Sequence, residues 1–191
     1  MRGAKERRGR RGPLIFWSGV LVATAVLTTV VLLGANRPAD PELLPGGLPE
    51  GRTPVRGFGS IAYRIRGGTD GPGGDATQRC ALLAETSKQQ ERGLMGRTDL
   101  GGYDGMLFRF SADTTTSFYM KDTLIPLSIA WFDADGFFVS ATDMEPCPDK
   151  VGCPTYGAAA PYRYALEVAK GGLPALGIGP GAQLVVGGGC G

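Results

Sequence analysis

The chain contains no histidine. That absence excludes Ser-His-Asp and Cys-His activation of a nucleophile, HExxH zinc sites and any proton shuttle through an imidazole. An enzyme built on this sequence would have to use Asp, Glu, Lys, Tyr or a metal held by oxygen or sulfur. The four cysteines include no CxxC pair, which removes the usual spacing of a zinc site. The glycine-rich stretch from Gly67 to Asp75 lacks both the Lys-Ser/Thr and the helix start of a phosphate loop. No internal repeat and no long βαβ pattern is present. The body of the chain also lacks net positive charge. Six of the 20 basic residues (Arg2, Lys5, Arg7, Arg8, Arg10, Arg11) precede Pro13 beside a single acid, Glu6, which leaves 14 basic against 17 acidic residues elsewhere. Binding to phosphates needs a clustered basic face, so nucleic acid is not an expected partner.

One uncharged run stands out. Leu14 to Leu33 holds no Asp, Glu, Lys or Arg and is dominated by Leu, Val, Ile, Ala and Thr. A hydrocarbon core of roughly 30 Å needs about 20 helical residues, whereas the apolar part of a secretory signal needs only about 7 to 15. The run therefore predicts a single transmembrane helix acting as a signal anchor over 14–33, with cleavage near Gly34-Ala35-Asn36 as the alternative. Cations are retained on the cytoplasmic side, so residues 1–13 form a basic cytoplasmic tail and everything after the span lies outside the cytoplasm. The paired arginines of that tail also fit a twin-arginine export signal. An extracytoplasmic compartment favours disulfides, and four cysteines allow three connectivities. Cys147 and Cys153 flank a short loop and form the natural local pair. Cys80 and Cys190 would then tie an early strand to the chain end.

Residues 34–56 are rich in Pro and Gly without hydrophobic periodicity and read as an extended linker. From there the pattern becomes that of a globular domain, 57–191. Ile61, Tyr63 and Ile65 alternate with Arg64 and Arg66, which predicts a half-buried strand. Cys80 to Glu85 is a second strand. Thr86 or Ser87, followed three residues later by Gln89 or Gln90, is a capping-box signature for a short helix from about Ser87 to Arg92, ended by Gly93. Further strands are predicted around Met106–Phe110, Leu127–Phe132, Phe137–Val139, Tyr162–Ala169 and Gln183–Val186. The turn Asp133-Ala134-Asp135-Gly136 joins two of these as an antiparallel hairpin. One turn of helix is expected at Leu173 to Leu176. Short, turn-punctuated strands with one or two short helices imply a mainly β domain.

Three blocks follow one another in this domain: Glu91-Arg92-Gly93-Leu94-Met95-Gly96-Arg97, then Gly105-Met106-Leu107-Phe108, then Phe118 through Leu127, which reads Phe-Tyr-Met-Lys-Asp-Thr-Leu-Ile-Pro-Leu. Together they resemble the family known as DUF192, domain of unknown function 192. Its members share a Gly-Leu-Met turn, a Gly-Met-Leu-Phe strand and a Phe-Trp-Met-Lys-Asn-Thr-x-Ile-Pro-Leu block. The resemblance covers about 79–186 and implies a small, barrel-like, mainly antiparallel β fold. It implies no reaction. This chain departs from the pattern at Tyr119, where Trp is usual, at Asp122 where Asn is usual, and at Ser128 where Asp is common.

The candidate binding crevice comprises Arg92, Gly93, Met95, Lys121, Asp122, Thr123 and Glu167. On an extended segment Lys121 and Thr123 would share one face, with Asp122 and Met120 on the other. These three polar groups can also simply satisfy backbone where the chain turns before Pro126. Alternation sets Glu167 opposite Leu166 and Val168. If that face is closed, the carboxylate needs a partner, Arg92 or Lys121, because a lone buried charge costs several kcal/mol. If it opens on a crevice, a raised pKa and acid–base chemistry become available. Met95, Met106 and Met120 offer thioethers to Cu(I), but their dispersed positions fit core filling better. No cofactor and no metal are assigned. The leading expectation is a membrane-anchored module that binds a small ligand or a cell-envelope partner. The alternatives are a histidine-free hydrolase acting on an envelope polymer through Glu167 or Asp122, and a purely structural envelope module.

Overall fold

The computed structural model describes residues 51–68, 77–148 and 152–190. The expected cytoplasmic tail, membrane span and most of the linker lie outside them. Among the described residues no helix is long and apolar enough to cross a membrane.

Among the described residues nine strands form the domain: β1 (Gly59–Arg66), β2 (Arg79–Ala84), β3 (Gly105–Thr114), β4 (Phe118–Tyr119), β5 (Leu127–Phe132), β6 (Phe138–Met144), β7 (Thr155–Tyr156), β8 (Tyr162–Ala169) and β9 (Gln183–Val186). An α-helix, α1 (Ser87–Arg92), follows β2, and a 3-10 turn spans Pro174–Leu176. Seven strands make one sheet in the order β6-β5-β8-β3-β2-β1-β9, and β4 pairs with β7 in a separate two-stranded ribbon. The mainly β, barrel-like expectation holds. The sheet curls until its ends meet: Phe137 bridges Gln183, Phe138 N donates to Ala182 O at 2.9 Å, and Leu184 N donates to Gly136 O at 2.7 Å. Closure depends on Gly136, which sits at φ 82° and where a Cβ would fall 2.2 Å from Leu184 O.

The pairing of β2 with β3 departs from the antiparallel expectation. These strands run parallel, with Leu82 opposite Met106 and Ala84 opposite Phe108. Parallel neighbours need a crossover of roughly a dozen or more residues. Here that crossover carries α1 and the Gly93-Leu94-Met95 turn across one face of the sheet. The helix starts where its sequence says it should. Thr86 Oγ1 accepts from Gln89 N, and Gln89 Oε1 accepts from Thr86 N, a reciprocal cap.

Strand alternation sorts the core into two layers. Ile61, Tyr63, Ile65, Leu107, Phe132, Leu166 and Leu184 pack on one face. Leu82, Leu94, Met106, Phe108, Met120, Ile129 and Trp131 pack on the other. Glu167, between Leu166 and Val168 on β8, belongs to the second face. The end of the expected linker is docked rather than free, since Thr53 N donates to Gly101 O at 2.9 Å and Val55 is buried in the second layer. Both disulfides form with the expected pairing, Cys80–Cys190 and Cys147–Cys153, and no described cysteine is free.

Candidate functional site

A crevice of about 340 Å³ opens on the second face, between α1 with its following turn and the segment Thr116–Tyr119. Phe108, Phe110, Thr123 and Glu167 line it from the sheet and the adjoining turn. Each wall is held by specific contacts. Gln90 Nε2 donates to Arg109 O at 2.9 Å and pins α1 to β3. Gly93 then ends the helix at φ 44°, a value that favours glycine. Opposite, Tyr162 Oη donates to Thr116 O at 2.5 Å, and burial pushes that hydroxyl up to about 12. Phe118 packs edge-on against Phe108, with ring centroids 4.9 Å apart, and Tyr119 Oη reaches Glu91 O at 3.5 Å across the mouth.

Two of the sequence blocks are tied together here. Gly96 N donates to Asp122 O at 2.8 Å. The Lys121-Asp122-Thr123 segment is a tight turn, not the extended stretch expected from its sequence: Thr123 N donates to Met120 O at 3.0 Å, and Asp122 has φ 56°. A left-handed residue breaks the two-residue alternation, so Met120 and Thr123 are buried while Lys121 and Asp122 are exposed. The reading in which this segment turns before Pro126 is the one that holds. Asn and Asp are the non-glycine residues that best tolerate this conformation, which accounts for an Asn-or-Asp position without a ligand. The disulfide loop braces the turn, since Asp122 N donates to Cys147 O at 3.1 Å and Cys147 N to Met120 O at 3.2 Å.

Glu167 is the crevice's distinctive group. Its residue is 5 % exposed, flanked across the sheet by Met106 and Ile129, both fully buried. Neither expected cation reaches it. Arg92 Nη1 donates to Arg56 O at 3.0 Å while its guanidinium lies 5.3 Å from the Phe58 ring centroid, and Lys121 does not line the crevice. Capture of Arg92 by Arg56 and Phe58, residues near the end of the expected linker, is the physical reason the predicted pair does not form. Among the described residues no hydrogen bond or ion pair engages the Glu167 carboxyl, and burial pushes its pKa up from 4.5 to about 8. Among those residues the one other carboxylate lining the crevice belongs to Glu91, exposed on α1.

Of the seven residues proposed from sequence, Arg92, Gly93, Met95, Thr123 and Glu167 line the crevice, and Lys121 and Asp122 do not. Met106 and Met120 fill the core, apart from Met95 at the crevice. Sequence reasoning missed Phe108, Phe110, Phe118 and the Thr116-Ser117 wall. Alternation marks the first two phenylalanines as one face of a strand, but local pattern does not say that this face borders an opening. At Ser128, Oγ donates to Asp143 Oδ1 at 2.5 Å and accepts from Gly171 N at 2.8 Å. A cross-strand carboxylate thus sits beside the hydroxyl where the family pattern often has Asp.

Comparison with known proteins agrees with this architecture. The DUF192 family model, described as an uncharacterized ACR, matches residues 71–186. A crystal structure of a protein of unknown function from Novosphingobium aromaticivorans DSM 12444 is 30% identical, covers 70% of this chain and 90% of its own, and superposes with a TM-score of 0.58. A protein from Sinorhizobium meliloti 1021, described as a candidate transcription regulator, is 26% identical, covers 68% of this chain and 95% of its own, and gives a TM-score of 0.56. No curated protein matches the chain significantly.

Proposed function

The chain belongs to the DUF192 family, and on that premise we propose that it is a membrane-tethered, extracytoplasmic β domain that binds a small ligand in the crevice beside α1. The observation that carries the reading is Glu167. A carboxyl that is buried, unpaired among the described residues and raised to about 8 is costly to keep, and such groups concentrate at functional sites. The crevice around it has the size of a small-molecule site and sets the rings of Phe108, Phe110, Phe118 and Tyr119 beside polar groups.

The tether is supported by the uncharged run 14–33 and the six cations before it, and the two disulfides accord with an oxidising compartment. Binding is favoured over catalysis because the chain has no histidine to activate a nucleophile, Asp122 does not line the crevice, and the one other acid lining it among the described residues, Glu91, is solvent-exposed on α1. The transcription-regulator description of the Sinorhizobium protein is not carried over, since 17 acidic against 14 basic residues beyond the tail argue against DNA binding by the domain.

A small-molecule fragment screen on the full chain, read by thermal shift, tests the reading. Hits are expected to lose their effect in Ser117→Trp, which places a large ring at the exposed wall of the crevice without altering the core. Hits that shift this variant as much as the parent would move the site elsewhere.

A further inference from the structure

The crevice holds an acid without a base. Besides Glu167, the charged or titratable groups lining it are Glu91, Arg92 and Tyr119. Arg92 is committed to the Arg56 carbonyl and the Phe58 ring, and Tyr119 reaches toward the Glu91 carbonyl. The nearest basic residue along β3, Arg109, is paired with Glu85. Among the described residues no protein cation is therefore directed at the buried carboxyl, while three phenylalanines, Phe108, Phe110 and Phe118, line the same crevice.

This combination selects a ligand chemistry. An anionic ligand would make ionisation of Glu167 costlier still. A neutral apolar ligand would leave the carboxyl without a partner. A cation would supply the charge that the protein withholds, and ring faces add to the attraction for a desolvated ammonium. We infer that the crevice takes a small primary amine with an apolar body, its ammonium seated on the Glu167 carboxylate and its body against Phe108, Phe110 and Phe118. The inference rests on the reading of the crevice as a binding site and goes further by naming the ligand class. A crevice of about 340 Å³ accommodates an arylalkyl or short alkyl amine and is too small for a folded partner.

Phenethylamine and its neutral isostere 2-phenylethanol separate the possibilities when each is titrated into the full chain by calorimetry. The amine is expected to bind roughly tenfold or more tightly than the alcohol, as a desolvated charge pair implies. Glu167→Gln, nearly the same shape, is expected to erase that preference. Ser117→Trp keeps the carboxyl and is expected to abolish binding of both. Equal affinities, or a preference that survives Glu167→Gln, would overturn the amine assignment and leave the binding crevice standing. Failure of both probes to bind at millimolar concentration would overturn the amine assignment, while the binding reading stands or falls with the fragment screen.

Discussion

Burial governs the behaviour of Glu167. The folded state holds a proton on this residue up to about pH 8, whereas the unfolded chain releases it near 4.5. The stability contributed by that proton uptake is complete below pH 4.5 and is lost as the pH climbs toward 8, because the folded state then binds more protons than the unfolded one. A tenfold difference in proton affinity corresponds to about 1.4 kcal/mol, so a rise from 4.5 to about 8 corresponds to an effect on the order of 5 kcal/mol. Urea melts of the parent and of Glu167→Gln should therefore diverge across this window, with the parent losing ground as the pH rises. Parallel profiles would mean that the carboxyl is solvated or paired. Asp122 poses a different residue-scale question, because φ 56° is a backbone demand rather than a chemical one. Asp122→Val should lower stability by roughly 1–2 kcal/mol and Asp122→Asn should leave it nearly unchanged. Thermal melts in which Val and Asn behave alike would show that the left-handed turn makes no such demand.

At the scale of elements, the two disulfides do unequal work. Cys80–Cys190 closes a separation of 110 residues and Cys147–Cys153 one of 6. In the chain-entropy model the longer loop contributes about 2–3 kcal/mol more. Replacing Cys80 and Cys190 by Ser should accordingly cost more stability in denaturant melts than replacing Cys147 and Cys153, and the reverse order would contradict the staple. The helix and most strands are legible in the amino-acid sequence, for identifiable reasons. Thr86 and Gln89 fix the start of α1, Gly93 fixes its end, and alternation marks β1, β3 and β5. The parallel pairing of β2 with β3 is not legible there, since strand direction is set by where the α1 crossover returns the chain and not by either strand's own pattern. The two-residue strands β4 and β7 are too short to show any periodicity. Between them in the chain, the turn at Lys121-Asp122-Thr123 is open to sequence reading because Pro126 follows it, but the left-handed conformation of Asp122 is not.

For the whole molecule, the proposed tether and the crevice make separate demands. A reporter that works only outside the cytoplasm, fused after Gly191, should be active if the cations before Leu14 hold the amino terminus inside. Cytoplasmic activity of the same fusion would overturn the localisation. The candidate site is legible in part, because Arg92, Gly93, Met95, Thr123 and Glu167 lie in recognisable blocks, whereas its aromatic wall arises from tertiary packing of Phe108, Phe110 and Phe118. What the fold adds is their convergence over one carboxyl: β8 supplies it at the middle of the sheet, α1 and the Thr116–Tyr119 segment wall it in, and Arg92 is held at Arg56 and Phe58. The most direct measurement is the titration of the Glu167 side-chain carboxyl carbon by 13C NMR in the full, disulfide-bonded chain, assigned by its loss in Glu167→Gln. A buried, unpaired carboxyl predicts a midpoint near 8 in the absence of ligand. A midpoint near the ordinary glutamate value of about 4.3 would contradict it, since the carboxyl would then be a solvated or paired anion and the crevice would have nothing to complete.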